Sequence, residues 1–391
     1  MRTLSTATKV LAVATTSLAS IAFLATAPAS ASPQNKTTQS ARLEAAVAAG
    51  VAHAKAEIAA YSKLPTFTPP GPAFDASKLM HGKTIYSIPL NSSDQFDQVL
   101  ETGMKAVAKE VGFTLDVYNN PGQPSDWVAG MNAAINAHAN LIDLLSGNNP
   151  LSVAPQITAA KKAGIPTVAS DAYSLGQKGD PAVGTVDVPY GEAARLMADW
   201  AIANSDGHAN ALIIESSDAI SSPFMLTSEL NEFKQYCPEC KISWINIPVA
   251  DWASETQSQV QSKLTADPSL DYILPVYDSQ SQFIVPAIET AGRIGKVHII
   301  SYDGTPFVLK MMETGNIVQM DVGEDLDWVS KAIMDDEMRI ASKLPVVANE
   351  HTPLYIFTKN NVATAGTPPK NSTGYGTAYI KGYDKIWELS S

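Results

Sequence analysis

Cysteine is nearly absent from this 391-residue chain: there are two, Cys237 and Cys240, in one Cys-Pro-Glu-Cys stretch. No His pair lies beside them, so they do not read as a zinc site, and no metal or cofactor is expected. Basic residues are also in deficit, 27 Lys and Arg against 39 Asp and Glu, for a net charge of −12. That balance argues against nucleic acid and against an anionic membrane surface as partners. Neither a G-x-S-x-G elbow, nor H-E-x-x-H, nor a Walker A sequence occurs. The six histidines, at 53, 81, 138, 208, 298 and 351, are scattered. Without a catalytic constellation the chain is not expected to be an enzyme.

Long hydrophobic runs are missing too, with one exception. Arg2 and Lys9 precede an apolar stretch from Val10 to Ala27, which ends in Ala29-Ser30-Ala31. This is the pattern of a cleaved secretory leader, residues 1–31, rather than of a retained anchor, since Thr15, Thr16, Ser17 and Ser20 interrupt the stretch. The leader takes Arg2 and Lys9 with it, moving the net charge from −12 to −14. An exported protein is expected, periplasmic or extracellular, with no cysteine near the cleavage site for a lipid anchor. Outside the cytoplasm paired thiols oxidise. Cys-x-x-Cys is also the spacing of a redox centre, but that centre opens a helix after a strand. Here the pair follows Phe233-Lys234-Gln235-Tyr236 and precedes the strand-like Ile242 to Ile247, which favours a local Cys237–Cys240 disulfide.

About 360 residues remain after the leader, enough for two domains with their own cores. Residues 32–81 carry Leu43, Val47, Val51, Ala54 and Ile58 at helical spacing, then Pro65, Pro69, Pro70 and Pro72. Prolines at that density read as a stiff extended linker, favouring a spacer role. Beyond residue 82 short apolar runs alternate with helical stretches: Thr84 to Leu90, Asp94 to Val111, Thr114 to Tyr118, Pro124 to Ala137, Leu141 to Leu145, Val153 to Ala163. The alternation predicts a doubly wound parallel sheet, and it restarts after Tyr190 to predict a second. In such sheets ligands bind beyond the C-terminal ends of the strands. Polar residues crowd there: Asn91 after the first strand, Ser146-Gly147-Asn148-Asn149 after the third, Ser170-Asp171-Ala172-Tyr173, Tyr277-Asp278, and Tyr302-Asp303-Gly304. Each alone could cap a helix or form a turn; five at equivalent places suggest a site.

Ile299-Ile300-Ser301-Tyr302-Asp303-Gly304-Thr305-Pro306 resembles the Asp-Gly-Thr-Pro turn of the type I periplasmic sugar-binding proteins, most nearly the ribose-binding kind. Ala163-Gly164-Ile165-Pro166-Thr167-Val168-Ala169-Ser170-Asp171, Val183-Gly184-Thr185-Val186-Asp187 before Gly191-Glu192-Ala193-Ala194, and Ala250-Asp251-Trp252 extend the resemblance over about residues 82 to 357. It implies an α/β fold of two Rossmann-like lobes joined by a three-stranded hinge, with crossovers near Val186 to Tyr190, Met320 to Gly323 and Ala348 to Leu354. Lobe one would comprise 82–187 plus 323–350; lobe two and the C-terminal segment, 188–322 plus 351–391.

By the same resemblance Asp171 and Asp303 match the carboxylates that accept sugar hydroxyls, and Trp252 matches the aromatic that stacks on a sugar face. Phe96 falls near a second aromatic. Tyr277 stands where an amide is usual, and Asp278 beside it is retained. Ribose-type proteins carry an arginine after the first Asp and another on the Pro223 to Gln235 helix; here Ala172 and Glu229 stand there. The candidate binding set is Asn91, Phe96, Asp171, Tyr173, Glu229, Trp252, Tyr277, Asp278 and Asp303, with Arg195, Arg293 and Arg339 placed outside the cleft. A neutral polyol or sugar-like ligand is therefore expected, handed by a monomer to the permease subunits of an ABC importer. Delivery to a signalling receptor, or an aromatic or cationic ligand, are the alternatives.

Overall fold

The computed structural model describes residues 33–389. The leader assigned to 1–31 lies outside them. The chain divides after Arg42 into a short unit, helical from Pro33, and the main body, Leu43–Ser391. Among the described residues no helix is long and apolar enough to cross a membrane.

Among the described residues eleven strands form two sheets. The first holds β1 (Thr84–Pro89), β2 (Thr114–Val117), β3 (Leu141–Leu145), β4 (Thr167–Ser174) and β5 (Gly184–Val188), all parallel, in the order β2-β1-β3-β4-β5. The second holds β6 (Asn210–Glu215), β7 (Lys241–Asn246), β8 (Tyr272–Pro275), β9 (His298–Asp303), β10 (Val318–Glu324) and β11 (Leu354–Thr358), in the order β11-β10-β9-β8-β6-β7. Only β11 runs antiparallel to its neighbour. Helices cover both faces, so β3 is buried at every position and β6 at all but its last, as sheets enclosed on both sides require. Each sheet reverses its winding once, at β1/β3 and at β6/β8. Such reversals open a crevice at the C-terminal strand ends.

The chain passes between the sheets three times. After β5 the Tyr190–Asn204 helix packs on β9 and β10 of the second sheet. After β10 the Leu326–Ala341 helix returns to β3, β4, β5 and the Gln95–Val111 helix of the first. This second passage follows Glu324, slightly beyond the expected 320–323, because β10 continues pairing with β11 as far as Glu324↔Leu354. The third passage leads into β11.

The last helix, Ala378–Ile386, departs from the expectation that 351–391 stays with lobe two. It lies on lobe one's Leu326–Ala341 helix, where Trp387 Nε1 donates to Asp335 Oδ1 at 2.7 Å. The N-terminal segment differs as well, being packed rather than a free spacer. His53 stacks on Tyr236 of lobe two with ring centroids 3.7 Å apart, and Ala54 is fully buried. The proline stretch then crosses onto lobe one. Phe67 meets Trp328 and Tyr383, and the Pro72 carbonyl accepts from Arg339 at 3.0 Å. Two aromatic anchors, Phe67 and Phe74, fix where this stretch lies: the Phe74 N–H donates to the Ile386 carbonyl and its ring faces the Arg339 guanidinium.

Candidate functional site

The C-terminal edges of the two sheets face each other across a closed cleft. From lobe one, Leu90 and Asp94 come from the loop after β1, Phe96 and Asp97 from the first turn of the Gln95–Val111 helix, and Ser146 from the end of β3. From lobe two come Trp252, the first residue of the Trp252–Ala266 helix, Tyr277 and Ser279 after β8, and Asp303 at the end of β9. Tyr190, at the first crossover, completes the lining of a cavity of about 20 Å³. That space fits a water or two, so a sugar-sized molecule enters only when the lobes part.

Direct contacts hold the lobes together. Ser279 Oγ donates to Asp94 Oδ1, and the Ile220 amide donates to the Gly147 carbonyl at 3.2 Å. Asp94 also caps its own helix, accepting from the Phe96 amide at 3.1 Å, as N-terminal Asp residues do. Trp252 is fixed through Nε1, which donates to Ser216 Oγ at 2.8 Å, and its ring centroid stands 6.1 Å from that of Tyr277. The Tyr277 hydroxyl pairs with Ser221 Oγ at 2.7 Å.

Backbone geometry sharpens the strand ends. Ser146, Asp171 and Asp303 adopt positive φ values of 66°, 50° and 132°, conformations non-glycine residues hold only when surrounding structure imposes them, often at functional sites. Gly304 (φ 75°) is required beside Asp303, because a Cβ there would collide with the Tyr375 hydroxyl and approach the Gly323 Cα to 2.8 Å.

The electrostatics are one-sided. No Lys or Arg lines the cavity. Burial pushes the carboxyls upward: Asp94 above its usual value, Asp97 well above it with Asp94 adding repulsion, and Asp303 well above it with Asp278 and Glu324 adding theirs. Asp171 rises to about 7, chiefly through burial. Among the described residues its side-chain oxygens find no hydrogen-bond partner, and neither do those of Glu229 and Glu324 or Asp97 Oδ1. The three arginines are occupied elsewhere, Arg195 with Glu192, Arg293 with the Leu270 carbonyl and Arg339 with Asp335.

Of the nine candidates, Phe96, Trp252, Tyr277 and Asp303 come together at the cavity. Asp171 sits just behind it, its backbone carbonyl accepting from the Tyr190 hydroxyl at 2.9 Å. The other four are engaged or placed outside the lining. Asn91 caps its own loop through Ser93. Tyr173 turns towards the 179–185 loop, its hydroxyl accepting from the Asp180 amide. Asp278 ties loops together, accepting from Ser301 Oγ and from the Thr305 amide at 2.8 Å. Glu229 is fully buried in its helix, its pKa well above the usual range from burial. Asp94, Asp97, Tyr190 and Ser279 line the cavity without belonging to the sequence-derived set. The Asp94-x-x-Asp97 pair after β1 was a visible signal, but it also fits an ordinary helix start.

Two lobes of this topology closing on a cleft at their switch points define a periplasmic binding protein of type I. The chain belongs to the periplasmic binding protein domain family, whose model matches residues 85–335. Solved structures of the same fold include a sugar ABC transporter protein from Yersinia enterocolitica subsp. enterocolitica 8081 (18% identity, TM-score 0.67, covering 83% of this chain and 98% of that one). Another is an ABC transporter solute-binding protein from Agrobacterium vitis with bound allitol (19%, 0.64, 72% and 97%). A third is a periplasmic solute-binding protein from Actinobacillus succinogenes 130z with bound D-allose (20%, 0.62, 72% and 99%). No curated protein matches the chain.

Proposed function

We propose that this protein is an exported solute-binding protein that encloses a small neutral polyol or sugar-like molecule between its lobes and presents it to the permease subunits of an ABC importer. The observation carrying this reading is the cavity lining: Asp94, Asp97 and Asp303 beside the rings of Trp252 and Phe96, with no basic side chain. Carboxylates accept hydroxyl hydrogen bonds, and an aromatic face meets sugar C–H groups. An organic acid would be repelled there, since anionic ligands call for Arg or Lys. The allitol and D-allose held by two proteins of the same fold agree with this class. Export also accords with a Cys237–Cys240 disulfide; the two Cα atoms lie 5.3 Å apart, within bridging range.

Small molecules released from purified, denatured protein are identified by mass spectrometry, and a thermal-shift panel of polyols, sugars, amines and dicarboxylates follows. Stabilisation by a polyol or sugar is expected. Tight binding of a dicarboxylate with none of any polyol would overturn the charge argument. One further reading has its own support: several buried carboxylates near aromatic rings also suit a cation, so an amino sugar or other cationic solute is the second candidate, recognised by protons released on binding. Transport and receptor signalling separate when uptake and response are measured after gene disruption.

A further inference from the structure

Outside the cavity lining, where the N-terminal helix meets lobe two, His53 Nε2 lies 2.9 Å from Glu232 Oε1. The ligand atoms of His53, Asp199 and Glu232 all fall within 4.8 Å of one another. These residues come from three helices, Pro33–Tyr61, Tyr190–Asn204 and Ser222–Tyr236. Asp199 and Glu232 are buried, at 1% and 6% exposure, and Asp199 Oδ1 has no hydrogen-bond partner. The His53–Glu232 contact does not reach that oxygen, and the Asp199 carboxyl faces the Glu232 carboxylate, a like-charged pair that a bound cation would compensate. Arg195 does not answer it either: its Nε stands 3.9 Å from Glu232 Oε2, and the same guanidinium pairs with Glu192.

We propose that His53, Asp199 and Glu232 form a zinc site that fastens the N-terminal helix to lobe two. Imidazole nitrogen and carboxylate oxygen are both zinc ligands, and three protein donors leave a fourth position for water. Tetrahedral zinc with bonds of about 2.0–2.2 Å spaces its ligands by about 3.3–3.6 Å, inside the range the three atoms already span, so small side-chain rotations suffice. The ring of His53 is held in place by its stack on Tyr236. Its side chain keeps 28% of its surface open to solvent, which gives the ion a way in and a water the fourth position. No sequence spacing could suggest this site, because His53 and Glu232 are 179 positions apart.

The full chain, stripped with a chelator, is titrated with ZnCl2 by calorimetry, with melting followed in parallel. One equivalent of zinc and a higher Tm are expected, together with a visible tetrahedral spectrum when CoCl2 replaces zinc. His53→Gln, Asp199→Asn and Glu232→Gln should each weaken zinc binding by more than about 100-fold, beyond the loss typical of an outer-shell partner. Circular dichroism and zinc-free melting of each variant establish that it folds. Absence of stoichiometric zinc binding, or unchanged affinity in folded His53→Gln or Asp199→Asn protein, would overturn the site. So would a preference for calcium or magnesium over zinc.

Discussion

Ser279 of lobe two donates a hydrogen bond to the Asp94 carboxylate of lobe one, and both side chains line the cavity between the lobes. The same carboxylate caps the helix that carries Phe96 and Asp97. Closure of the lobes and the position of the turn that lines the cavity thus share one side chain. Ser279→Ala is expected to cost about 1 kcal/mol of closure, the usual worth of one hydrogen bond, which is roughly a fivefold loss in ligand affinity. Small-angle scattering of the free protein should show a larger radius of gyration. An unchanged radius with unchanged affinity would mean that the contact does not hold the lobes together.

Trp252 offers the largest ring at the cavity, and its indole nitrogen donates to Ser216 Oγ. Trp252→Ala should weaken binding of the identified ligand by about 1–3 kcal/mol if the ring stacks on it, read by calorimetry. Equal affinity would remove Trp252 from the site.

Burial raises the Asp171 carboxyl to about 7, against about 3.9 in an unfolded chain. For an acid shifted upward, the stabilising contribution is complete below the unfolded value and is lost as pH rises through the folded one. The loss accumulates between the two values, so Asp171→Asn should gain most stability relative to the parent at pH 8, clearly less at pH 5 and little or none near pH 3, measured by denaturant melts in the absence of ligand. A gain independent of pH between 5 and 8 would contradict the assignment.

Phe67 pins the proline stretch between Trp328 and Tyr383. Phe67→Ala is expected to destabilise the protein by about 3 kcal/mol, the lower end for truncating a large packed ring, and to make the stretch around Pro65 susceptible to protease. Resistance equal to the parent would restore the spacer reading.

A Cys237–Cys240 bridge closes a very short loop, for which chain entropy predicts about 2 kcal/mol of stabilisation. The Cys237→Ser/Cys240→Ser protein should melt lower while binding ligand as before, and the parent should show no thiol–disulfide exchange activity with small disulfides. Rapid exchange would favour the redox reading instead.

Periodicity and turn chemistry made the architecture readable before any coordinates. Alternating runs such as Leu141–Leu145 and Gln95–Val111 are local patterns, and a strand buried on both faces must be apolar throughout. Tyr277 and Asp303 were legible as residues at C-terminal strand ends, which topology puts at the crevice, whereas Trp252 was implied only by the family resemblance. Chain-local information stopped at side-chain direction and partnership. Asn91 and Asp278 had the right position and chemistry, yet their lone pairs were claimed by neighbouring amides and hydroxyls. Asp94 looked like an ordinary cap until the opposing lobe brought Ser279 to it. The path of Phe67 over lobe one and the meeting of His53 with Asp199 and Glu232 depended on helices distant in sequence packing together. Local spacing determined which elements form and where a cleft must open; long-range burial and hydrogen-bond competition decided which side chains reach it.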